Sequence, residues 1–303
     1  MLDTSIAGRE SGGTFGRVVT DSRYHGLDNI YPLPNDTKEI IRLDDLHYMF
    51  YVHHGFRNVI PRISRHPHQI LDLGTGSGRW VCEVAAQFPT ARVVGLDLVP
   101  ANPLYELSHN MEFNVADFND GLVKLYPDTH FDLVHSRLIM AGLTKAQWPT
   151  LMDEVYKILV PGGWVQCTEF RGSQWYSDGD RLPKDSALSL FFSYLDRLCE
   201  QMDIYWNGYH LQNVIRSTGF QRVRARTTII DVGNWRDDNP SEQLQKAREF
   251  AATAIGDCFV DFIHHMRERE FVHYYRDPKK QSAFAQQVKA EMLNPAYRLY
   301  FDS

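Results

Sequence analysis

The sequence predicts an α/β fold in which a parallel sheet carries helices on both faces. Three observations support this prediction: short apolar segments alternate with helical patterns between residues 69 and 170, a glycine-rich turn follows the first apolar segment, and acidic residues follow several strand ends. Strands that alternate with helices in this way are joined by crossovers, which makes them parallel. We therefore expect a ligand site at the carboxyl ends of the strands, where open α/β sheets bind their ligands.

The core elements can be assigned in chain order from their apolar patterns. Five strands are predicted, at residues 69–73, 92–97, 112–115, 131–135 and 164–169. Apolar residues at helical spacing after the glycine turn predict a helix between the first two strands. Thr144 with Gln147 predicts the start of another helix, which Pro161-Gly162-Gly163 would end.

The flanking regions have patterns of their own. Asp36 followed by Glu39 fits a capping box and predicts the start of an N-terminal helix. Beyond the core, helices are predicted over 188–218, with a break at 206–208, and over 241–293, and strands over 221–232 and 297–301. We divide the chain into a flexible tail (1–20), a helical flap (21–66), the α/β core (67–170), a cap insertion (171–218) and a last region of final strands with inserted helices (219–303). Residues 21–303 are expected to form one structural domain.

Composition narrows the function classes. The chain has 303 residues, 43% of them hydrophobic, and a net charge of −6, which excludes a mostly disordered chain and disfavours a nucleic-acid partner. No apolar run approaches the roughly 18 residues of a membrane helix, and the polar start is unlike a signal peptide. The four cysteines are widely spaced and form no C-x-x-C. These features predict no membrane partner, no metal site, and a cytoplasmic location, or a nuclear one for a regulatory protein.

The glycine turn carries the central functional signal. It reads Gly74-Thr-Gly76-Ser-Gly78, with Asp72 two residues before it. A dinucleotide fingerprint would need glycine at position 79, which is arginine. An acid at position 72 suits a ligand that bears an ammonium group and disfavours a pyrophosphate.

Two further acids complete the pattern. Asp97 closes the second strand, where a carboxylate can accept hydrogen bonds from both hydroxyls of a ribose. Asp117 closes the third strand beside Phe118, so the acid can accept from an adenine amine while the ring covers the base. An adenosine with an amino-acid tail is S-adenosylmethionine (SAM), which we predict as the cofactor.

At these residues the chain resembles class I SAM-dependent methyltransferases. More narrowly, it resembles the fungal methyltransferase-domain family of LaeA-type regulators and natural-product methyltransferases. The stretches that carry the resemblance are Ile70 to Leu98, Tyr31 to Asp36, Arg42-Leu43-Asp44, Phe131 to Arg137, Leu159 to Trp164 and Ser217 to Phe220. It covers about residues 20–235, is loose beyond them, and the usual Gly-x-Lys-Pro ending of the family is absent.

The resemblance implies a seven-stranded, Rossmann-like sheet with a helical cap, and it implies roles for individual residues. The methionine part of SAM would be held by Asp72, Gly74, Gly76 and Gly78, the ribose by Asp97 and Leu98, the adenine by Asp117 and Phe118, with Ser136 on the methionine side. Tyr31, Arg42 and His47 would belong to a flap over the cofactor. Arg42 could pair with the SAM carboxylate, or it could form an intrahelical pair with Glu39 or Asp45.

The candidates for catalysis lie beyond the fourth and fifth strands or on the cap. They are Arg137, Glu169 and His210. A general base is needed only if the methyl acceptor must lose a proton. Each candidate has a structural alternative: Arg137 could pair with an acid, Glu169 could cap a loop, and His210 could begin a helix.

The substrate is expected to be a small molecule. Aromatic residues crowd the predicted cap, which suggests a pocket for an aromatic or polyketide-like molecule, although core packing is the default for most of them. They are Trp175, Tyr176, Phe191, Phe192, Tyr194, Tyr205, Trp206 and Tyr209. The leading hypothesis is a methyltransferase acting on O, N or C in secondary metabolism. A LaeA-type regulator and an enzyme of the same fold that catalyses a rearrangement or cyclisation are the alternatives, and a homodimer is left open.

Overall fold

The fold is described by a computed structural model. It describes residues 18–19, 22–23, 36–101, 107–170, 176–177, 182–205, 208–266 and 277–303. Two short strands, β1 (Val18–Val19) and β2 (Ser22–Arg23), pair antiparallel near the amino-terminal end. The predicted tail otherwise lies outside the described residues, as does Tyr31.

A five-stranded parallel sheet forms the centre of the molecule. Its strands are β3 (Gln69–Leu73), β4 (Arg92–Asp97), β5 (Met111–Val115), β6 (Phe131–Arg137) and β7 (Leu159–Thr168), in the order β5-β4-β3-β6-β7. All neighbouring pairs are parallel, as predicted from the alternation of strands and helices. The carboxyl ends of β3, β4 and β6 therefore meet at one edge.

Helices cover both faces of this sheet, because successive strand residues point to opposite sides. On one face, α2 (Arg79–Gln87) packs Trp80 and Val84 against Ile70 of β3. On the other face, α4 (Gln147–Ile158) packs among the buried residues around Leu71 of β3. A one-turn helix, α3 (Leu122–Leu125), joins this second face. The predicted α/β layering is confirmed.

Strand β7 begins earlier than predicted. Helix α4 ends at Ile158, and the Pro161-Gly162-Gly163 segment lies within the strand rather than between helix and strand. Leu159 pairs with Phe131, and the register then shifts so that Trp164 pairs with Leu133. The shift absorbs the extra residues of β7 as an irregularity in the ladder, as a bulge does.

Four helices form a second layer, which we call the helical layer. They are α1 (Thr37–His53), α5 (Ala187–Gln201), α7 (Glu242–Met266) and α8 (Pro278–Met292). Asp36 caps α1, as predicted, by accepting a hydrogen bond from the Glu39 amide at 3.0 Å. Phe50, Phe191 and Phe259 lie in the shared core of this layer. A shorter helix, α6 (Leu211–Ser217), packs instead against the α4 face of the sheet.

The remaining strands form a separate sheet, so seven strands are not found in one sheet within the described ranges. They are β8 (Tyr176–Ser177), β9 (Ile229–Asp231) and β10 (Leu299–Asp302), in the antiparallel order β8-β10-β9. The prediction of one long strand over 221–232 is wrong. Within this range the short β10 pairs with Ile229–Asp231, while Arg222, upstream of this segment, has a positive φ of 55°. A strand cannot extend beyond the partner that satisfies its backbone groups.

We expect a cavity in the helical layer to destabilise the protein strongly. Leu188 on α5 is 0% exposed, whereas Leu293, which follows α8, is 42% exposed. Leu188→Ala should lower the free energy of unfolding by about 2–5 kcal/mol through lost burial and the cavity left behind. Leu293→Ala removes the same atoms from a solvent-exposed site and should change the free energy of unfolding by about 0.5 kcal/mol or less. Urea unfolding followed by circular dichroism measures both; equal losses would contradict a packed core in this layer.

Candidate active site

The glycine turn connects β3 to α2 and is pinned to the end of β4. The Gly74 and Thr75 amides both donate to the Leu96 carbonyl, at 2.8 and 3.1 Å. Gly74 has a φ of 68°, and a Cβ added there would lie 2.6 Å from Cγ2 of Ile139. A side chain at position 74 is thus excluded by the backbone conformation and by the neighbouring chain. The turn leaves a backbone surface at the carboxyl edge of the sheet, which suits close approach of a ligand.

Asp97 links the turn to β4 through its carboxylate. Its Oδ2 accepts from the Gly76 amide at 2.8 Å, and its Oδ1 accepts from the Val99 amide at 3.4 Å. Burial raises the pKa of Asp97, and these backbone hydrogen bonds oppose that effect. A carboxylate has about four acceptor positions, so Asp97 retains capacity for the hydroxyls of a ribose. Leu98 follows it and is half-buried.

Asp72 is buried, and each of its oxygens already has a partner. Oδ2 accepts from the Thr75 hydroxyl at 2.8 Å, and Oδ1 lies 2.6 Å from Nδ1 of His135. Trp80 stacks on the His135 ring with the centroids 4.0 Å apart. Burial lowers the pKa of His135, so we assign a neutral ring that donates from Nδ1. The role of Asp72 toward an ammonium group stays a prediction, and its partner His135 was missed.

The residues predicted to frame the adenine and the methionine side have structural roles of their own. Asp117 caps a short 3₁₀ turn by accepting from the Asn119 amide at 2.8 Å. The ring of Phe118 is buried in the core cluster on the α4 side of the sheet. Ser136 is buried beside Cys167, whose thiol pKa burial raises to about 12. The assignment of these residues to the cofactor therefore stays a prediction.

Helix α1 covers the glycine turn. A Cβ on Gly76 would lie 3.1 Å from Leu43, one turn before His47 on the same helix. Arg42 is buried and forms two hydrogen bonds to the carboxylate of Glu39, which is the intrahelical alternative rather than a contact aimed at a cofactor. Burial raises the pKa of Glu39, and Arg42 opposes this effect. Arg42 thus stabilises the covering helix.

His47 connects three elements around the turn. Its Nε2 lies 3.0 Å from Oε2 of Glu83 on α2, and its Nδ1 lies 3.0 Å from Nη2 of Arg137 at the end of β6. Burial lowers the pKa of His47 to about 4. The ring is therefore neutral near pH 7, donating from Nε2 to Glu83 and accepting at Nδ1 from Arg137.

Glu83 is the charged end of this chain of hydrogen bonds. It also accepts from Asn58 at 2.8 Å and from Arg79 at 2.6 Å. Burial acts to raise the pKa of Glu83, but its hydrogen bonds, led by that from His47, outweigh burial and lower the value to about 2. Glu83 was not predicted as a site residue, because it lies on the polar side of α2 and no sequence pattern distinguishes it from a solvent-exposed acid.

The three catalytic candidates lie in different surroundings and do not contact one another. Arg137 lies over the ring of Phe50 at 5.4 Å, and burial lowers its pKa to about 10. His210 is exposed, stacks on Tyr205 with the centroids 4.5 Å apart, and precedes α6. It matches the helix-start alternative.

Glu169 is a buried carboxyl group that holds the loop after β6. Its oxygens accept from the Ile139 amide at 2.9 Å and from the Met140 amide at 3.4 Å. Burial raises the pKa of Glu169 to about 8, against the effect of these two hydrogen bonds. Because Ile139 packs on Gly74, Glu169 supports the glycine turn through the loop. It matches the loop-capping alternative.

Most of the described aromatic residues of the predicted cap pack in the core of the helical layer. Phe191 is fully buried, and Phe192 and Tyr194 pack around it. Tyr209 is 46% exposed, and Trp175 and Trp206 lie outside the described residues. Core packing, the default interpretation, therefore holds for the α5 residues.

The described residues contain no group of three or more histidine, cysteine, aspartate or glutamate side chains placed to hold a metal ion. None of the helices in these ranges has both the length and the apolar character needed to cross a membrane.

Comparison with known proteins agrees with this geometry. Residues 70–163 match the family model described as a methyltransferase domain. Methyltransferase pytC of Aspergillus terreus is 32% identical over 219 residues, which are 71% of this chain and 65% of that protein. Secondary metabolism regulator laeA of Aspergillus fumigatus is 27% identical over 283 residues, or 91% of this chain and 72% of that protein. This chain thus spans slightly less than two thirds of the length of pytC.

Among solved structures, the cyclopropane synthase MmaA2 from Mycobacterium tuberculosis aligns with a TM-score of 0.44 and 12% identity, over 83% of this chain and 80% of that chain. The glycine turn and Asp97 lie within residues 70–163, the range that matches the methyltransferase-domain model. The resemblance to the fungal LaeA-type and natural-product methyltransferases is confirmed by the relatives found.

A side chain at Gly74 should disrupt the cofactor site. Gly74→Ala combines a positive φ with a clash against Ile139, whereas Gly55→Ala has a similar φ of 70° and nothing within 4 Å of the new Cβ. The comparison separates steric contact from backbone strain. We expect Gly74→Ala to lose about tenfold or more in affinity for S-adenosylhomocysteine, while Gly55→Ala keeps it. Calorimetric titration measures both variants, and similar affinities would contradict the proposed role of this turn.

The neutral His47 should make stability fall in mild acid. Its pKa is about 4 in the folded protein and 6.5 when unfolded, so the unfolded chain binds this proton more readily. Stability is therefore lost as pH falls from about 6.5 toward 4, by about 2 kcal/mol at pH 5. His47→Gln should flatten this dependence in urea unfolding at pH 7 and pH 5. His66→Gln, at an exposed position, is the control and should leave the dependence unchanged.

Proposed function

We propose that this chain transfers the methyl group of SAM to an oxygen, nitrogen or carbon atom of a small molecule. The observation that carries the proposal is the Gly74 to Gly78 turn tied to the Asp97 carboxylate, within a methyltransferase domain. When bound, SAM supplies an electrophilic methyl group on its sulfonium. The chain must bind it, orient the acceptor and exclude water, which can contribute roughly 7–11 kcal/mol.

The residues around the turn fit these tasks. Asp97 would accept hydrogen bonds from the ribose hydroxyls while it holds the Gly76 amide. Helix α1, which touches the turn through Leu43, would keep water from the cofactor. Glu169 would hold the loop that carries Ile139 against Gly74, so that the turn keeps its shape.

The surroundings of the candidate bases favour an acceptor that needs little help with proton removal. Both oxygens of Glu169 are used by backbone amides, and His210 is exposed on the surface. Of the three candidates, Arg137 at the end of β6 is the one placed to orient a substrate. A general base would add typically 10²–10⁴-fold where the acceptor must lose a proton.

The relatives support a role in secondary metabolism. Methyltransferase pytC is a methyltransferase by name, and laeA is named a secondary metabolism regulator. We propose an aromatic or polyketide-like acceptor, held between the sheet edge and the helical layer, and a cytoplasmic enzyme. A homodimer is compatible with this proposal.

A second candidate function is regulation of the LaeA type. It is favoured by the extent of similarity, since the laeA match covers 91% of this chain. A relative from Emericella nidulans, 27% identical over 283 residues, is named a protein-methionine methyltransferase. A protein acceptor, including the chain itself, is the substrate that would follow from this candidate.

A labelled-methyl assay separates the two functions. The full chain is incubated with methyl-labelled SAM and a panel of phenols, carboxylic acids and amines, and in parallel alone and with a fungal protein extract. We expect label in a small-molecule product. SAM bound at stoichiometry with label only in protein would favour the regulator, and no label in any acceptor would contradict methyl transfer.

Removal of the Asp97 carboxylate should abolish cofactor binding. Asp97→Ala loses two charge-assisted hydrogen bonds to the ribose and the contact to Gly76, so we expect affinity for S-adenosylhomocysteine to fall by about a hundredfold or more. Asp128→Ala, at an exposed position after α3, is the matched control. Undiminished affinity of Asp97→Ala in calorimetry would show that the ribose assignment is wrong.

A further inference from the structure

Arg137 carries a positive charge in a partly buried position, where a charge loses part of its hydration. It lies at the carboxyl end of β6, where burial lowers its pKa. Its hydrogen-bond partner is Nδ1 of the neutral His47, and its Cζ lies 5.4 Å from the centroid of the Phe50 ring. Within the described part of the chain, no carboxylate lies at ion-pair distance from its guanidinium. A partly buried cation without a counter-ion is costly, so an anion that meets it would bind favourably.

The two carboxylates whose charges act on Arg137 already accept hydrogen bonds from other groups. They are Asp72 and Glu83, which act on Arg137 only through the electric field. Asp72 accepts from Thr75 and His135, and Glu83 accepts from His47, Asn58 and Arg79. These hydrogen bonds hold both carboxylates in place, and neither lies at ion-pair distance from the Arg137 guanidinium.

Apart from these two carboxylates, Arg137 lies near neutral histidines and an aromatic ring. His54, at the end of α1, has its pKa lowered to about 4, first by burial and then by the charge of Arg137. Arg226 adds to the same effect on His54. The rings of Phe50 and Phe170 lie 6.1 Å apart beside this group. A charged group flanked by aromatic rings suits a planar acid.

Helix α1 contacts both the cofactor turn and Arg137, at different positions along its length. Leu43 contacts the turn at Gly76, whereas Phe50 contacts Arg137 seven residues later. Seven helical residues correspond to about 10 Å. Phe50 and Phe170 belong to the side of the molecule that packs on the helical layer. His47, which binds Arg137, is only four residues from Leu43, so Arg137 lies between the glycine turn and the helical layer.

We propose that Arg137 binds a carboxylate of the methyl acceptor, so that the substrates are acidic small molecules with a planar apolar body. This inference rests on the proposed function, because it names the substrate class of the same site. A guanidinium presents two parallel N–H groups that match a carboxylate. A single cation beside neutral histidines fits a monoanion better than a doubly charged phosphate.

Paired ligands test the anion preference without methyl transfer. Cinnamate and benzoate, each against its primary amide, are titrated by calorimetry into the full chain saturated with S-adenosylhomocysteine. We expect each acid to bind about 10- to 100-fold more tightly than its amide, since the amide keeps the shape and loses the charge. No preference for either acid would overturn the proposal.

Variants assign the preference to Arg137. Arg137→Gln should remove the acid preference and keep the affinity for the amides, and Arg137→Lys should keep part of the preference. Arg216→Gln, at an exposed position on α6, is the control and should bind like the unchanged protein. An acid preference that survives in folded Arg137→Gln would overturn the proposal.

The carboxylate of SAM is the other source of the same chemistry. S-adenosylhomocysteine carries that carboxylate, whereas 5′-methylthioadenosine lacks the amino-acid end. If Arg137→Gln lost affinity for the first and not for the second, Arg137 would belong to the cofactor site and the proposal would be overturned. If the chain binds acids in preference to amides but transfers label to no acceptor, the anion site would be supported and the proposed function would be contradicted.

Discussion

The turn after β3 is the constraint on which the rest of the site depends. Its amides are bound to the end of β4, its Gly76 amide is bound by Asp97, and Ile139 leaves no space for a side chain at Gly74. Glu169 holds the Ile139 loop from the end of β7. The carboxyl ends of the neighbouring strands are thereby held in one arrangement, and α1 is packed on top of it.

A neutral histidine joins the covering helix to the sheet. His47 can accept from Arg137 and donate to Glu83 only while it is uncharged, and burial keeps it so. Glu83 and Arg137 are thus linked through His47 without direct contact. In the proposed anion site, the positive charge of Arg137 is available for a ligand. Stability in acid and recognition of an anion depend on the same ring.

The parts of the fold that could be predicted were those with local signals. The buried strands and the cap of α1 follow from apolar runs and from Asp36, which act within a few residues. The strand over 221–232 could not be predicted correctly, because a strand depends on a partner elsewhere in the chain. That partner, β10, pairs with only three residues of this range, Ile229–Asp231. Candidate roles for Glu169 and His210 were predicted with structural alternatives, and those alternatives match the structure.

The sequence by itself determined the residue types and spacing of the turn, the acids near the ends of β3, β4 and β5, and with them the predicted class of cofactor. Only the tertiary structure decided which groups meet. Parallel register places Asp72 opposite His135, and the packing of α1 brings His47 to Arg137. In this way, residues that are 63 positions apart (Asp72 and His135) or 90 positions apart (His47 and Arg137) become hydrogen-bond partners. Such pairs leave no local pattern, because they result from how strands and helices stack rather than from the order of neighbouring residues.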